Sequence, residues 1–124
     1  MRSFVALDLH HVSIVVDDLA AARSFYGDAL GLHEIDRPDF GFPGAWYEVG
    51  AAQLHLIEAS EAPPRRPHFA LEVDDLDAAV DALRAAGVTV EPFPEVAGAG
   101  KQVGVRDPSG NRVELRQAEE GYDA

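Results

Sequence analysis

Residues 9 to 16 alternate strictly, with Val12, Ile14 and Val16 on one side and His11, Ser13 and Val15 on the other. That is the period-two signature of a strand with one buried face. Residues 67 to 73 repeat it, with Phe69, Leu71 and Val73 against His68, Ala70 and Glu72. A helix is predicted after each strand. Asp17 or Asp74 is the expected N-cap, and Gly31 or Gly87 stands just past the last apolar position. Leu19, Ala22, Phe25 or Tyr26 and Ala29 fit one side of the first helix, and Leu76, Val80 and Leu83 one side of the second. Three short strands should follow each helix, near 32 to 36, 45 to 49 and 52 to 58, and near 88 to 92, 101 to 106 and 112 to 117. Asp107-Pro-Ser-Gly-Asn111 supplies turn chemistry before the last of them.

The pattern is a repeat. His11-Val-Ser-Ile-Val-Val-Asp-Asp-Leu19 lies over His68-Phe-Ala-Leu-Glu-Val-Asp-Asp-Leu76, and Ala52 to Ala59 over Asn111 to Ala118 at an offset two residues larger. The order βαβββ twice over predicts an α+β fold of two mostly antiparallel four-stranded sheets, each covered on one face by a helix. The whole chain, 1-124, is expected to form one domain, with repeats of about 7-59 and 67-118 and an extended linker at Ala62-Pro-Pro-Arg-Arg-Pro67. Pleat parity puts His11, His55, His68 and Glu114 on the faces away from the helices.

Composition narrows the chemistry. With 124 residues the chain can bury a core without staples, and with no cysteine it has neither disulfides nor thiolate metal sites. Its formal net charge of -12 repels phosphate backbones and anionic lipid, so nucleic-acid and membrane partners are not expected. No apolar run approaches membrane-spanning or signal-peptide length, which predicts a cytoplasmic protein.

Three imidazoles and a carboxylate are a competent donor set for one divalent ion: Zn, Fe, Ni, Mn or Co. A lone strand histidine is ordinarily a structural or surface residue. Matching histidines in two units, then a His and a Glu at a second matching pair, select these four over His10 and His33, which lack such support. Gly98-Ala-Gly-Lys101 lacks the full phosphate-loop spacing and reads as a loop, no serine has a nucleophile-elbow context, and Glu119-Glu120 reads as a solvated tail. Trp46 has ambiguous parity, between core and site.

On these motifs, with Phe25-Tyr-Gly-Asp-Ala-Leu-Gly-Leu32 and Asp107-Pro-Ser-Gly-Asn-Arg-Val-Glu-Leu115, the chain resembles the vicinal oxygen chelate superfamily, the glyoxalase, bleomycin-resistance and extradiol-dioxygenase group, from about Leu7 to Gln117. The resemblance implies a curled half-barrel, a divalent metal on His11, His55, His68 and Glu114, and substrates chelated through two neighbouring oxygens. Two departures stand out. Glyoxalase I enzymes typically have Glu or Gln where His55 stands, and Val15 occupies the place of a glutathione-binding Arg in the bacterial ones.

The leading expectation is a metal-dependent, glyoxalase-like lyase or isomerase acting on a small oxygenated substrate, with Glu114 or Glu72 as general base and Trp46, Arg106 and Arg112 as substrate contacts. One alternative is a drug- or metabolite-sequestering module without chemistry. Another is an Fe(II)-dependent extradiol-type dioxygenase. A homodimer is expected, because curved sheets with open edges commonly complete their clefts by pairing. Whether the four ligands meet within one chain or between two subunits stays open.

Overall fold

The computed structural model describes residues 7–61, 67–93 and 101–117. Residues 1–6, 62–66, 94–100 and 118–124 lie outside the described residues, as do the expectations made for them.

Each half repeats the same order. The first runs β1 (His11–Val16), α1 (Leu19–Arg23), a π-helical turn (Ser24–Ala29), β2 (His33–Ile35), β3 (Gly44–Val49) and β4 (Ala52–Glu58). The second runs β5 (His68–Glu72), α2 (Leu76–Ala85), β6 (Glu91–Pro92), β7 (Lys101–Arg106) and β8 (Arg112–Gln117). The sheets have matching orders, β1-β4-β3-β2 and β5-β8-β7-β6, with the first strand parallel to the fourth and the other pairings antiparallel. They are mixed and unclosed, as a curled half-barrel requires.

Alternation drives the packing. Leu54 and Leu56 on β4, and Val113 and Leu115 on β8, are buried in one cluster with Leu19, Ala22, Leu76 and Leu83 from the helices. Each fully buried Leu contributes about 1.5–3 kcal/mol. Gly31 and Gly87 adopt positive φ just past the helices, where a Cβ would be strained.

Helix entry differs from expectation by one residue. The caps are Asp18 and Asp75, whose carboxylates accept from the amides of Ala21 and Ala78. The helices start at Leu19 and Leu76, so the second aspartate of each pair is the one within reach of an unsatisfied amide in the first turn. The amides of Leu19 and Leu76 donate to Glu58 Oε2 at 2.7 Å and Gln117 Oε1 at 2.8 Å. The last strand of each half therefore fastens the start of its own helix.

The first helix also changes period. From Ser24 the hydrogen bonds widen, and the Leu30 amide reaches the Phe25 carbonyl. Widening lowers the angle between consecutive side chains, and both Phe25 and Tyr26 are buried where an α-helix would favour one of them.

Polar contacts join the halves. Tyr26 donates to Asp107 Oδ2 at 2.9 Å, and Asn111 Nδ2 donates to the Val15 carbonyl at 2.7 Å. Asp17 and Ser109 are linked twice, at 2.7 and 2.8 Å. The Asp107–Asn111 turn is thus seated on the junction between β1 and α1.

Candidate metal centre

The face of the first sheet away from its helix carries a row of parallel rings. Trp46 on β3 is directly opposite His55 on β4, and their rings stack at 4.1 Å with planes 5° apart. His55 in turn stacks on His11 of β1 at 4.2 Å and 12°. His55 is thus sandwiched between an indole and an imidazole and keeps only 8% of its surface exposed. Burial, then the neighbouring His11 and His10, then Arg37, hold its pKa below the ordinary histidine range. A neutral imidazole is the form that can ligate a metal.

Two side chains orient these rings. Gln53 Oε1 lies 2.8 Å from His55 Nε2, and His10 Nδ1 lies 2.9 Å from His11 Nδ1. Partners of this kind fix which ring nitrogen stays available, Nδ1 on His55 and Nε2 on His11. Gln53 shares its strand face with His55 two residues away, so parity alone could have found it. His10 has the opposite parity to His11 and reaches its ring from beyond the start of the strand.

The second sheet holds the other pair. His68 Nε2 lies 3.3 Å from Glu114 Oε2, and the same oxygen is 2.9 Å from Arg112, which lies over the Phe93 ring. Glu114 is 8% exposed. Glu72 pairs with Arg116 at 2.6 Å, so its carboxylate already has a cationic partner. Arg106 donates to the Gly110 carbonyl and lines a cleft of about 630 Å³ with Phe25 and Glu91, apart from both pairs. Arg112 instead borders a smaller cleft of about 230 Å³, shared by the edge strands β1 and β5.

The sequence-selected residues therefore come together as two twos, His11 with His55 and His68 with Glu114. Among the described residues no three His, Asp or Glu side chains are placed to hold one ion. The donor chemistry itself fits a divalent first-row metal. A ring nitrogen's lone pair lies in the plane of its ring and ligates at about 2.0–2.1 Å. Nearly parallel rings 4.2 Å apart do not converge on one ion, so ligation requires one of them to turn.

Similar proteins share both fold and sequence. A Bacillus anthracis protein of the glyoxalase family superposes with a TM-score of 0.86 at 27% identity, over 96% of this chain and 100% of that one. The lactoylglutathione lyase of Haemophilus influenzae is 31% identical over 88% of this chain and 91% of its own length. An ethylmalonyl-CoA/methylmalonyl-CoA epimerase of Cereibacter sphaeroides is 32% identical over 88% of this chain and 96% of its own. The model of one family matches residues 8–115, and the chain belongs to the Glyoxalase/Bleomycin resistance protein/Dioxygenase superfamily.

Proposed function

We propose that the protein is a metal-dependent lyase or isomerase acting on a small oxygenated substrate, with its metal centre shared between two copies of the chain. The observation that carries this is the division of the four donors into two pairs, one on each sheet, that gather with no third donor among the described residues. His11 and His55 of one subunit and His68 and Glu114 of the other would hold one divalent ion. Leu7 and Leu9, exposed beside the His10–His11 pair, offer apolar surface for such pairing. The lyase and the epimerase similar to this chain are both named for reactions on oxygenated small molecules, which favours the same class here.

When bound, the ion supplies a Lewis acid that stabilises negative charge developing on substrate oxygens. The chain's own residues do the rest. Gln53 and Trp46 hold the His55 ring, and His10 holds His11. Glu114, beside Arg112, or Glu72, beside Arg116, accepts and returns the substrate proton. Substrate contacts come from Trp46 and Arg112. Arg106 takes part only if the larger cleft carries an extension of the substrate.

Metal content and subunit mixing test the proposal. Protein purified without a metal-affinity tag should carry one divalent ion per chain by elemental analysis. His11→Ala and His68→Ala should each lose it, and a mixed dimer of the two variants should regain one intact site. A wild-type chain that takes up no divalent ion overturns the metal reading, and a mixed dimer that binds none overturns the sharing.

A further inference from the structure

The loop before β3 carries a second feature of the same sheet face. Arg37 lies 5.0 Å from the ring centres of both Phe40 and Phe42. Those two rings stack on each other at 5.9 Å, and Phe40 continues to Trp46 at 5.9 Å. The aromatic row therefore runs from Phe42 through Phe40, Trp46 and His55 to His11. Phe40 and Phe42 are 51% and 46% exposed, unusual for side chains this apolar. Gly44 makes room for the guanidinium, because a Cβ there would come within 2.9 Å of Arg37 Cζ and Nε.

Among the described residues Arg37 makes no direct ion pair, although Glu34, Asp36 and Asp39 line the same cleft. The chain has 22 acidic residues against 10 Lys and Arg, yet among the described residues no carboxylate pairs with Arg37 and no acceptor occupies its N–H groups. A cation–π contact consumes none of a guanidinium's N–H donors, and that fork of donors matches a carboxylate bidentately.

We propose that Arg37, held by Phe40, Phe42 and Gly44, is a specificity residue that selects an aromatic or otherwise flat unsaturated substrate bearing a carboxylate, its ring lying against the exposed side of Phe40. This deepens the proposed function and rests on His11 and His55 marking the reactive end. The carboxylate would take the Arg37 fork while the flat body lies along the row towards the histidines.

Calorimetric titration of the whole protein with 2-naphthoate, 2-naphthalenemethanol and acetate tests it, with and without chelator. Naphthoate should bind about tenfold or more tightly than the neutral alcohol, the scale of one charge-assisted contact, and acetate should bind far more weakly. Arg37→Met keeps an apolar side chain over the rings and should abolish the preference for naphthoate while leaving divalent-metal uptake unchanged. Phe40→Leu should weaken naphthoate and alcohol together. Equal preference in wild type and Arg37→Met, or no binding of either naphthalene, overturns the proposal. So does a shift of Phe40→Leu from dimer to monomer with naphthoate affinity unchanged, which would make the rings a contact for a second copy. Failure of metal uptake in wild type sinks the enzymatic reading separately, whatever naphthoate does.

Discussion

The Tyr26 hydroxyl donates to Asp107 Oδ2 at 2.9 Å across 81 residues of sequence, with both side chains buried. Asp107 is the hub of this contact. Its Oδ1 accepts from the amides of Ser109 and Asn111 at 3.0 and 2.7 Å, and its Oδ2 also accepts from Asn111 Nδ2 at 2.8 Å. Removing the carboxylate strands four donors, whereas removing the phenol hydroxyl leaves Oδ2 still bonded to Asn111. Tyr26→Phe should therefore cost about 1–2 kcal/mol and Asp107→Ala about 3 kcal/mol or more, read from urea unfolding.

Alkali should act through the same phenol. Burial first, then the Asp107 charge and hydrogen bond, push the Tyr26 pKa far above the tyrosine range. An unfolded tyrosine loses its proton near pH 10, so above that the unfolded state binds fewer protons than the folded one. Stability is then intact below about pH 10 and falls by about 1.4 kcal/mol per pH unit above it. Unfolding followed from pH 8 to 11 should show a shallower decline in Tyr26→Phe.

Two glycines of the first half should respond in opposite ways to alanine. A Cβ on Gly44 would sit 2.4 Å from the Leu56 carbonyl oxygen, backbone that cannot swing aside. Gly44→Ala should lose about 1–3 kcal/mol and displace Arg37. On Gly27 the nearest atoms are Tyr47 Cε1 and Oη at 3.7 Å, ordinary contact within a helical turn. Gly27→Ala should be neutral or stabilising by up to about 1 kcal/mol, measured in the same way.

The paired aspartates provide a sharper comparison. Asp75→Ala removes the cap of α2 and should cost about 1 kcal/mol, while Asp74→Ala should stay within about 0.5 kcal/mol. Thermal melts of the two variants decide which aspartate caps the helix.

Sequence and structure agree where periodicity speaks. Alternation around His55 and Glu114 identified strands and their buried faces, and the repeat identified the matching order of elements in the two halves. What it missed is non-periodic. The widened turn that buries both Phe25 and Tyr26 follows from packing against the second half, including the Tyr26–Phe69 ring contact, and not from local propensity. Asp107 reads as a turn residue, but its partner lies in the other repeat. Arg37, Phe40 and Phe42 sit in a loop, where no parity assigns a face. The stacking of His55 between His11 and Trp46 depends on side-chain torsions that strand register permits without dictating.

The seated turn also marks where the duplication ceases to be symmetric. Between β3 and β4 the chain reverses through Gly50 and Ala51, and the corresponding reversal in the other copy is three residues longer and carries Asp107 and Asn111. Those added residues are what dock on the first copy, so the copies are not interchangeable: one is a plug and the other its socket. A chain with the two reversals exchanged would keep every strand pairing, yet it would leave Tyr26 facing a turn that has no carboxylate to meet it.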